Sequence, residues 1–140
     1  MIYVGIDVAK SKHDCYIVDS DGVVHTDSLT ISNDRQGFNK LLETILNALD
    51  GDSIQNSKVG LEHTGHYSIN IKRFLESQGF VVTSFNPLET NAFRKASTLR
   101  KTKTDKCDAK TIATMLFSDD SVPTLTPSYQ LQELKSLTRY

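Results

Sequence analysis

Four carboxylates in this chain have the type and spacing for phosphodiester chemistry: Asp7, Glu62, Asp105 and Asp108. Asp7 falls inside an alternating apolar run, Ile2-Tyr3-Val4-Gly5-Ile6-Asp7-Val8-Ala9. Glu62 lies near the end of a second, Lys58-Val59-Gly60-Leu61-Glu62-His63. Asp105 and Asp108 stand three apart in Lys103-Thr104-Asp105-Lys106-Cys107-Asp108-Ala109-Lys110, a spacing that puts both on one face of a helix. An acid in a core strand is costly unless its charge is compensated, and a divalent cation bound by oxygen ligands is the usual compensation. Two magnesium ions about 4 Å apart activate an attacking oxygen and stabilise a leaving one in phosphoryl transfer. In that arrangement Asp7 bridges both ions, Glu62 holds one, and Asp105 with Asp108 holds the other. Mg2+ or Mn2+ is the expected cofactor.

Each acid also has a plainer reading. Asp105 and Asp108 suit the start of a helix, where carboxylates answer the N-terminal dipole, with Thr102 and Asp105 as a capping pair. Glu62 can be the polar end of a strand. Asp7, read as a mid-strand acid between Ile6 and Val8, has only an ion pair with Lys10 or Lys12 as its structural alternative. The histidines of Glu62-His63-Thr64-Gly65-His66 do not match H-E-x-x-H, and no third nitrogen or sulfur ligand accompanies them, so zinc is not expected. Thr64-Gly65 reads instead as a tight turn from strand into helix.

Length and composition describe one ordinary globular domain: 140 residues, 38% hydrophobic, 24% charged. No apolar run approaches the roughly 20 residues that span a bilayer, and the N-terminus lacks the basic start of a signal peptide. Cys15 and Cys107 lie far apart with no metal-type spacing, which fits a reduced, cytoplasmic setting without membrane association. The net charge of −1 conceals an asymmetry. Residues 94–110 hold seven basic and two acidic side chains, whereas the rest of the chain holds nine basic and fifteen acidic. Such a window is a candidate phosphate-facing surface, with Arg94, Arg100, Lys101, Lys103, Lys106 and Lys110 as its contacts; the alternative is a solvated lysine-rich loop.

The elements that must position these groups follow from periodicity. Residues 2–8 read as a strand with Ile2, Val4, Ile6 and Val8 on one face and Tyr3, Gly5 and Asp7 on the other. Residues 13–19 and 23–31 read as two more strands joined at Ser20-Asp21-Gly22, making an antiparallel meander. Ser32-Asn33-Asp34 offers N-caps for a helix carrying Phe38, Leu41, Leu42, Ile45, Leu46 and Leu49. A strand at 58–63, a helix at 67–78 stopped by Gly79, and a strand at 80–85 come next. Pro87 suits the first turn of a further helix. Thr102 or Thr104 can cap another, reaching Phe117 with Ala109, Ile112, Ala113 and Leu116 inward. Asp119-Asp120-Ser121-Val122-Pro123 reads as a loop. A last helix begins at Ser128 and is cut by the chain end, as in a fragment of a longer protein. The order β-β-β-α-β-α-β-α is that of the RNase H-like fold: a mixed five-stranded α/β sheet with helices on both faces. In it the first strand, the end of the fourth and a late helix converge, and the four acids fall there.

Gly5-Ile6-Asp7-Val8-Ala9-Lys10-Ser11 resembles the first phosphate loop of actin-like and sugar-kinase ATPases. Ala9, however, stands where they need glycine, and 140 residues cannot supply their second domain. A more specific resemblance spans nearly the whole chain. "YVGIDVAKSKHDCYIVD", "LEHTGHY" and above all "RKASTLRKTKTDKCDAKTIA" resemble the N-terminal domain of the DEDD-type insertion-sequence transposases, the family that includes the Piv-type site-specific DNA invertases. The resemblance implies a RuvC-like fold over residues 1–127, with the four acids on Asp7, Glu62, Asp105 and Asp108. Residues 128–140 would begin a linker helix toward a C-terminal domain that carries a functional serine. It further implies a DNA recombinase that cuts and rejoins strands with magnesium, homo-oligomeric at full length, in some members guided by a structured RNA. The isolated fragment is expected to be inactive. Two other readings are a free-standing junction resolvase or nuclease, and a non-catalytic nucleic-acid-binding or dimerisation module with vestigial acids.

Overall fold

A computed structural model describes residues 1–63, 65–97 and 109–121. The chain opens with β1 (Ile2–Asp7), β2 (Lys12–Asp19) and β3 (Val24–Ser32), an antiparallel meander as the alternation predicts. Helix α1 (Arg35–Leu49) follows, then a 3-10 turn (Ile54–Asn56) and β4 (Ser57–Glu62). A second 3-10 turn (Gly65–Ser68) leads into α2 (Ile69–Ser77), β5 (Val82–Phe85) and α3 (Pro87–Ser97), and α4 is Ala109–Ser121. The strand order is β3-β2-β1-β4-β5, with β4 parallel to both β1 and β5. This is the mixed five-stranded sheet expected from the element order.

Local chemistry sets the boundaries. Of the three N-cap candidates, Asp34 caps α1: its Oδ1 accepts from Gly37 N at 2.9 Å and from the Ser32 hydroxyl at 2.7 Å. Helix α2 stops at Gly79, whose φ of 102° only glycine adopts without strain. The Phe80 amide then turns back to Leu75 O at 3.1 Å. That bond ties the buried Phe80 to the helix end, and β5 starts at Val82, not at residue 80 as the apolar run suggested. Pro87 does open α3, inside a capping box. Asn86 Oδ1 accepts from Leu88 N at 2.7 Å while Glu89 Oε1 accepts from Asn86 N at 2.8 Å.

Both faces of β1 are covered. Ile2, Val4, Ile6 and Val8 join Ile17, Val59 and Leu61 beneath Leu41, Ile45, Ile71 and Leu75 of α1 and α2. The opposite face meets α4, where Tyr3 and Phe85 pack with Ile112, Met115 and Leu116. The inward α4 positions Ala109, Ile112, Ala113 and Leu116 are buried as the spacing predicted. Two further expectations fail. Helix α4 continues through Asp119-Asp120-Ser121, which read as a loop, because these residues lower helix propensity without breaking it and the next proline along the chain is Pro123. Asp7 is not mid-strand: β1 ends on it, and its side chain is only half-buried. The cap candidates Thr102 and Thr104 and the helix expected from Ser128 lie outside the described residues. No described helix is long and apolar enough to cross a membrane.

Candidate active site

Asp7 and Glu62 end two neighbouring parallel strands. The β1–β4 register pairs Ile6 with Leu61, so the next residues along are Asp7 and Glu62. Side chains alternate along a strand. Ile6 and Leu61 enter the α1–α2 core, so both acids project to the α4 face. Being at strand ends, they keep access to water, which makes an acid tolerable there. Across β1, Asp7 pairs with Asp14, whose Oδ1 accepts from the Thr30 hydroxyl at 2.8 Å.

The start of α3 brings a further polar group to Glu62. Phe85, the last residue of β5, pairs with Glu62, and the capping box begins the helix at the next step. One turn into α3, Thr90 is wholly buried and its hydroxyl donates to Glu62 Oε2. The sequence reading missed Thr90. The Asn-Pro-Leu-Glu box would have located the helix start, but nothing local says that a threonine there meets an acid 28 positions earlier.

Helix α4 lies close to β1 at Gly5. A Cβ on Gly5 would stand 2.1 Å from Ala109 O and 2.6 Å from Ala113 N. Glycine facing alanines lets the helix approach the strand two residues before Asp7. Asp105 and Asp108 lie outside the described residues. Among the described residues no three His, Cys, Asp or Glu side chains converge closely enough to hold a metal ion. Asp7 and Glu62 are hard oxygen donors that fit magnesium or manganese, but two carboxylates are only part of a ligand set. An open groove of about 560 Å³ runs along β2 and β3 next to the first described turn of α4, lined among others by Asp14, Tyr16, Asp27, Ala109 and Lys110; neither Asp7 nor Glu62 lines it.

The turn after Asp7 is clamped from β2 and β3. The Ala9 amide donates to His13 Nδ1 at 3.2 Å, Asn33 Nδ2 donates to Lys10 O at 2.9 Å, and Asn33 N donates to Ser11 O at 3.0 Å. His13 is fully buried and stacks on Phe38. Burial lowers its pKa below the ordinary 6.5, against weaker opposing effects of Asn33, Asp14 and the Lys12 backbone. The folded ring is neutral with Nδ1 as acceptor, so protonation removes the acceptor of the Ala9 bond. Stability from this group is full above about pH 6.5 and is lost as pH falls below it toward the folded-state value. Urea midpoints are expected to decline from pH 7 to pH 5, with a shallower decline in His13→Gln. An equal decline in both proteins would remove His13 as the cause.

Of the six basic candidates only Arg94 and Lys110 are described. Arg94 sits in the last turn of α3 and donates to Asn91 Oδ1 at 2.9 Å; Lys110 is exposed in the first described turn of α4. They bracket the stretch that holds Arg100, Lys101, Lys103 and Lys106. Cys15 is free and buried, its thiol pushed up to about 12 by desolvation, so it is inert.

Comparison with known proteins adds three findings. Residues 4–140 match the model of the DEDD IS110 family, described as transposase. A Streptomyces coelicolor protein named as the mini-circle transposase for IS117 is 30% identical over 118 residues, covering 84% of this chain and 27% of that protein. The chain thus spans about a quarter of the length of that relative. Among solved structures, T. thermophilus RuvC in complex with Holliday junction substrate aligns at a TM-score of 0.53 and 14% identity, over 86% of this chain and 96% of that one. At that identity the likeness concerns the fold, which is RuvC-like.

Proposed function

The chain belongs to the DEDD IS110 transposase family, and on that premise we propose that it is the metal-dependent catalytic domain of a DNA transposase or recombinase. The observation that carries this reading is the placement of Asp7 and Glu62 on one face, at the C-terminal ends of adjacent parallel strands. In open α/β sheets the crevice beyond the strand ends is where ligands bind. Asp108 directly precedes Ala109 in the sequence, the residue whose carbonyl lies against Gly5, and in this reading it joins Asp7 and Glu62 as a ligand. Asp105, three residues earlier in the sequence, completes the four acids in this reading.

Asp7, Glu62, Asp105 and Asp108 would hold Mg2+ or Mn2+, which when bound supplies the Lewis acid that polarises a phosphodiester and lowers the pKa of the attacking hydroxyl. The chain's own part is positional. Asp7 and Glu62 are fixed by a rigid pair of strands, and the clamp of His13 and Asn33 holds the turn after Asp7. The basic residues of 94–110 would meet DNA phosphates and set its register, without reading sequence. The reading takes residues 1–127 as this domain and 128–140 as the start of a linker helix. It assigns a cytoplasmic setting, a homo-oligomer and, in part of the family, a structured guide RNA.

The test is a calorimetric titration of Mg2+ or Mn2+ into the chain and into Asp7→Ala, with and without a branched DNA. Binding is expected in the wild type and is expected to vanish in Asp7→Ala. A folded wild type that binds neither ion, even with branched DNA present, would leave the acids structural and favour the non-catalytic reading.

A further inference from the structure

We propose that Thr90 is a positioning residue that holds the Glu62 carboxylate for cation binding, a role that rests on the reading of Glu62 as a metal ligand. Threonine in a helix commonly turns its hydroxyl back onto a carbonyl three or four residues earlier. Thr44 and Thr114, both half-buried, do so, to Lys40 O and Lys110 O, each at 2.8 Å. Thr90 makes the same local contact, to Pro87 O at 3.0 Å, but it is fully buried and its hydroxyl also reaches Glu62 Oε2 on β4. A hydroxyl carries one proton, so the two acceptors compete for it. The carboxylate is the stronger acceptor, because hydrogen bonds to an ionised group are about twice as strong as neutral ones. The proton therefore goes to Glu62, and the carbonyl of Pro87 is the secondary contact.

The consequence is a tethered carboxylate. With Oε2 held from α3, rotation about the last bond of Glu62 is restricted, and Oε1 is the oxygen left to meet a cation. The tether does not depend on a flexible neighbour: the capping box fixes the start of α3, and the pairing of Phe85 with Glu62 fixes the strand it reaches. Groups that hydrogen-bond a metal ligand from behind typically change metal affinity about 10- to 100-fold when removed.

The experiment is a Mn2+ titration by calorimetry, with and without branched DNA, on the full chain and on Thr90→Val, Thr90→Ser and Glu62→Gln. Thr90→Val keeps the shape and removes the hydroxyl; it is expected to weaken Mn2+ binding about 10- to 100-fold. Thr90→Ser keeps the hydroxyl and is expected to bind near the wild-type level. If Thr90→Val does not fold, Thr90→Ala carries the same expectation. Loss of affinity in Glu62→Gln with none in Thr90→Val overturns the positioning role alone. So does an equal loss in Thr90→Ser and Thr90→Val, which would point to packing. Glu62→Gln binding as tightly as the wild type, or a wild type that binds no Mn2+, overturns Glu62 as a ligand and this proposal with it.

Discussion

Gly5→Ala is expected to destabilise the fold by roughly 3 kcal/mol and to loosen α4 from the sheet. The added Cβ would sit 2.1 Å from Ala109 O and 2.6 Å from Ala113 N, and both are main-chain atoms. A side chain could swing aside, but a helix backbone can only move with its helix. Either α4 lifts away from Tyr3, Phe85 and its other partners, or β1 bulges and disturbs its ladders with β2 and β4. Overpacking costs typically about 1–3 kcal/mol, and rigid atoms on both sides put this site at the upper end. On the proposed reading of Asp108 as a ligand, a shift of the adjoining Ala109 is expected to weaken cation binding along with stability. Urea unfolding and amide exchange in α4 check both parts. An unchanged midpoint with α4 amides still protected would mean that the helix does not rest on β1 at Gly5.

The alternation of β1 made its two faces legible, because a period of two separates Ile2, Val4 and Ile6 from Tyr3, Gly5 and Asp7 without reference to anything else. What the period could not reveal is how nearly a helix lies on the second face; Gly5 there is a statement about Ala109 and Ala113, more than 100 positions away. Asp7 was legible as an acid without a local excuse, but its place at the strand end depends on where the ladder to β4 stops. Glu62 had a local excuse as the polar end of a strand, and it became a candidate through the element order, which brings the end of the fourth strand to the first. Thr90 was not, since a polar residue in the first turn of a helix is unremarkable until β5 pairs with β4 and turns it onto Glu62. His13 reads as an ordinary polar position of a strand and is instead buried against Phe38, where it serves the turn after Asp7. Local signals thus placed the elements, and the groups that act between elements waited on the topology.

Duplex DNA binding to the chain is expected to fall about 10³-fold between about 50 and 200 mM monovalent salt. The expectation comes from the asymmetry of the sequence. Outside residues 94–110 the chain holds fifteen acidic and nine basic side chains, so most of its surface repels phosphate. Attraction must come from the basic window, and the six residues assigned to it would release counterions with a slope of roughly −5 in log affinity against log salt. Neutralising Arg94 and Lys110 together, the two that bracket the window in the fold, is expected to reduce the slope by about 2. On the proposed reading, in which Asp7 would meet a cation and not a phosphate, Asp7→Asn is expected to leave the slope unchanged while removing Mn2+ binding. That separation divides the readings. A catalytic domain has two independent terms, one set by salt through lysine and arginine and one set by divalent ions through the acids. A non-catalytic binding module has only the first. Fluorescence anisotropy across a salt series, with EDTA and then with Mn2+, measures both. If the Arg94/Lys110 variant keeps the full slope, those two residues lie off the DNA path and the attraction comes from elsewhere in the chain.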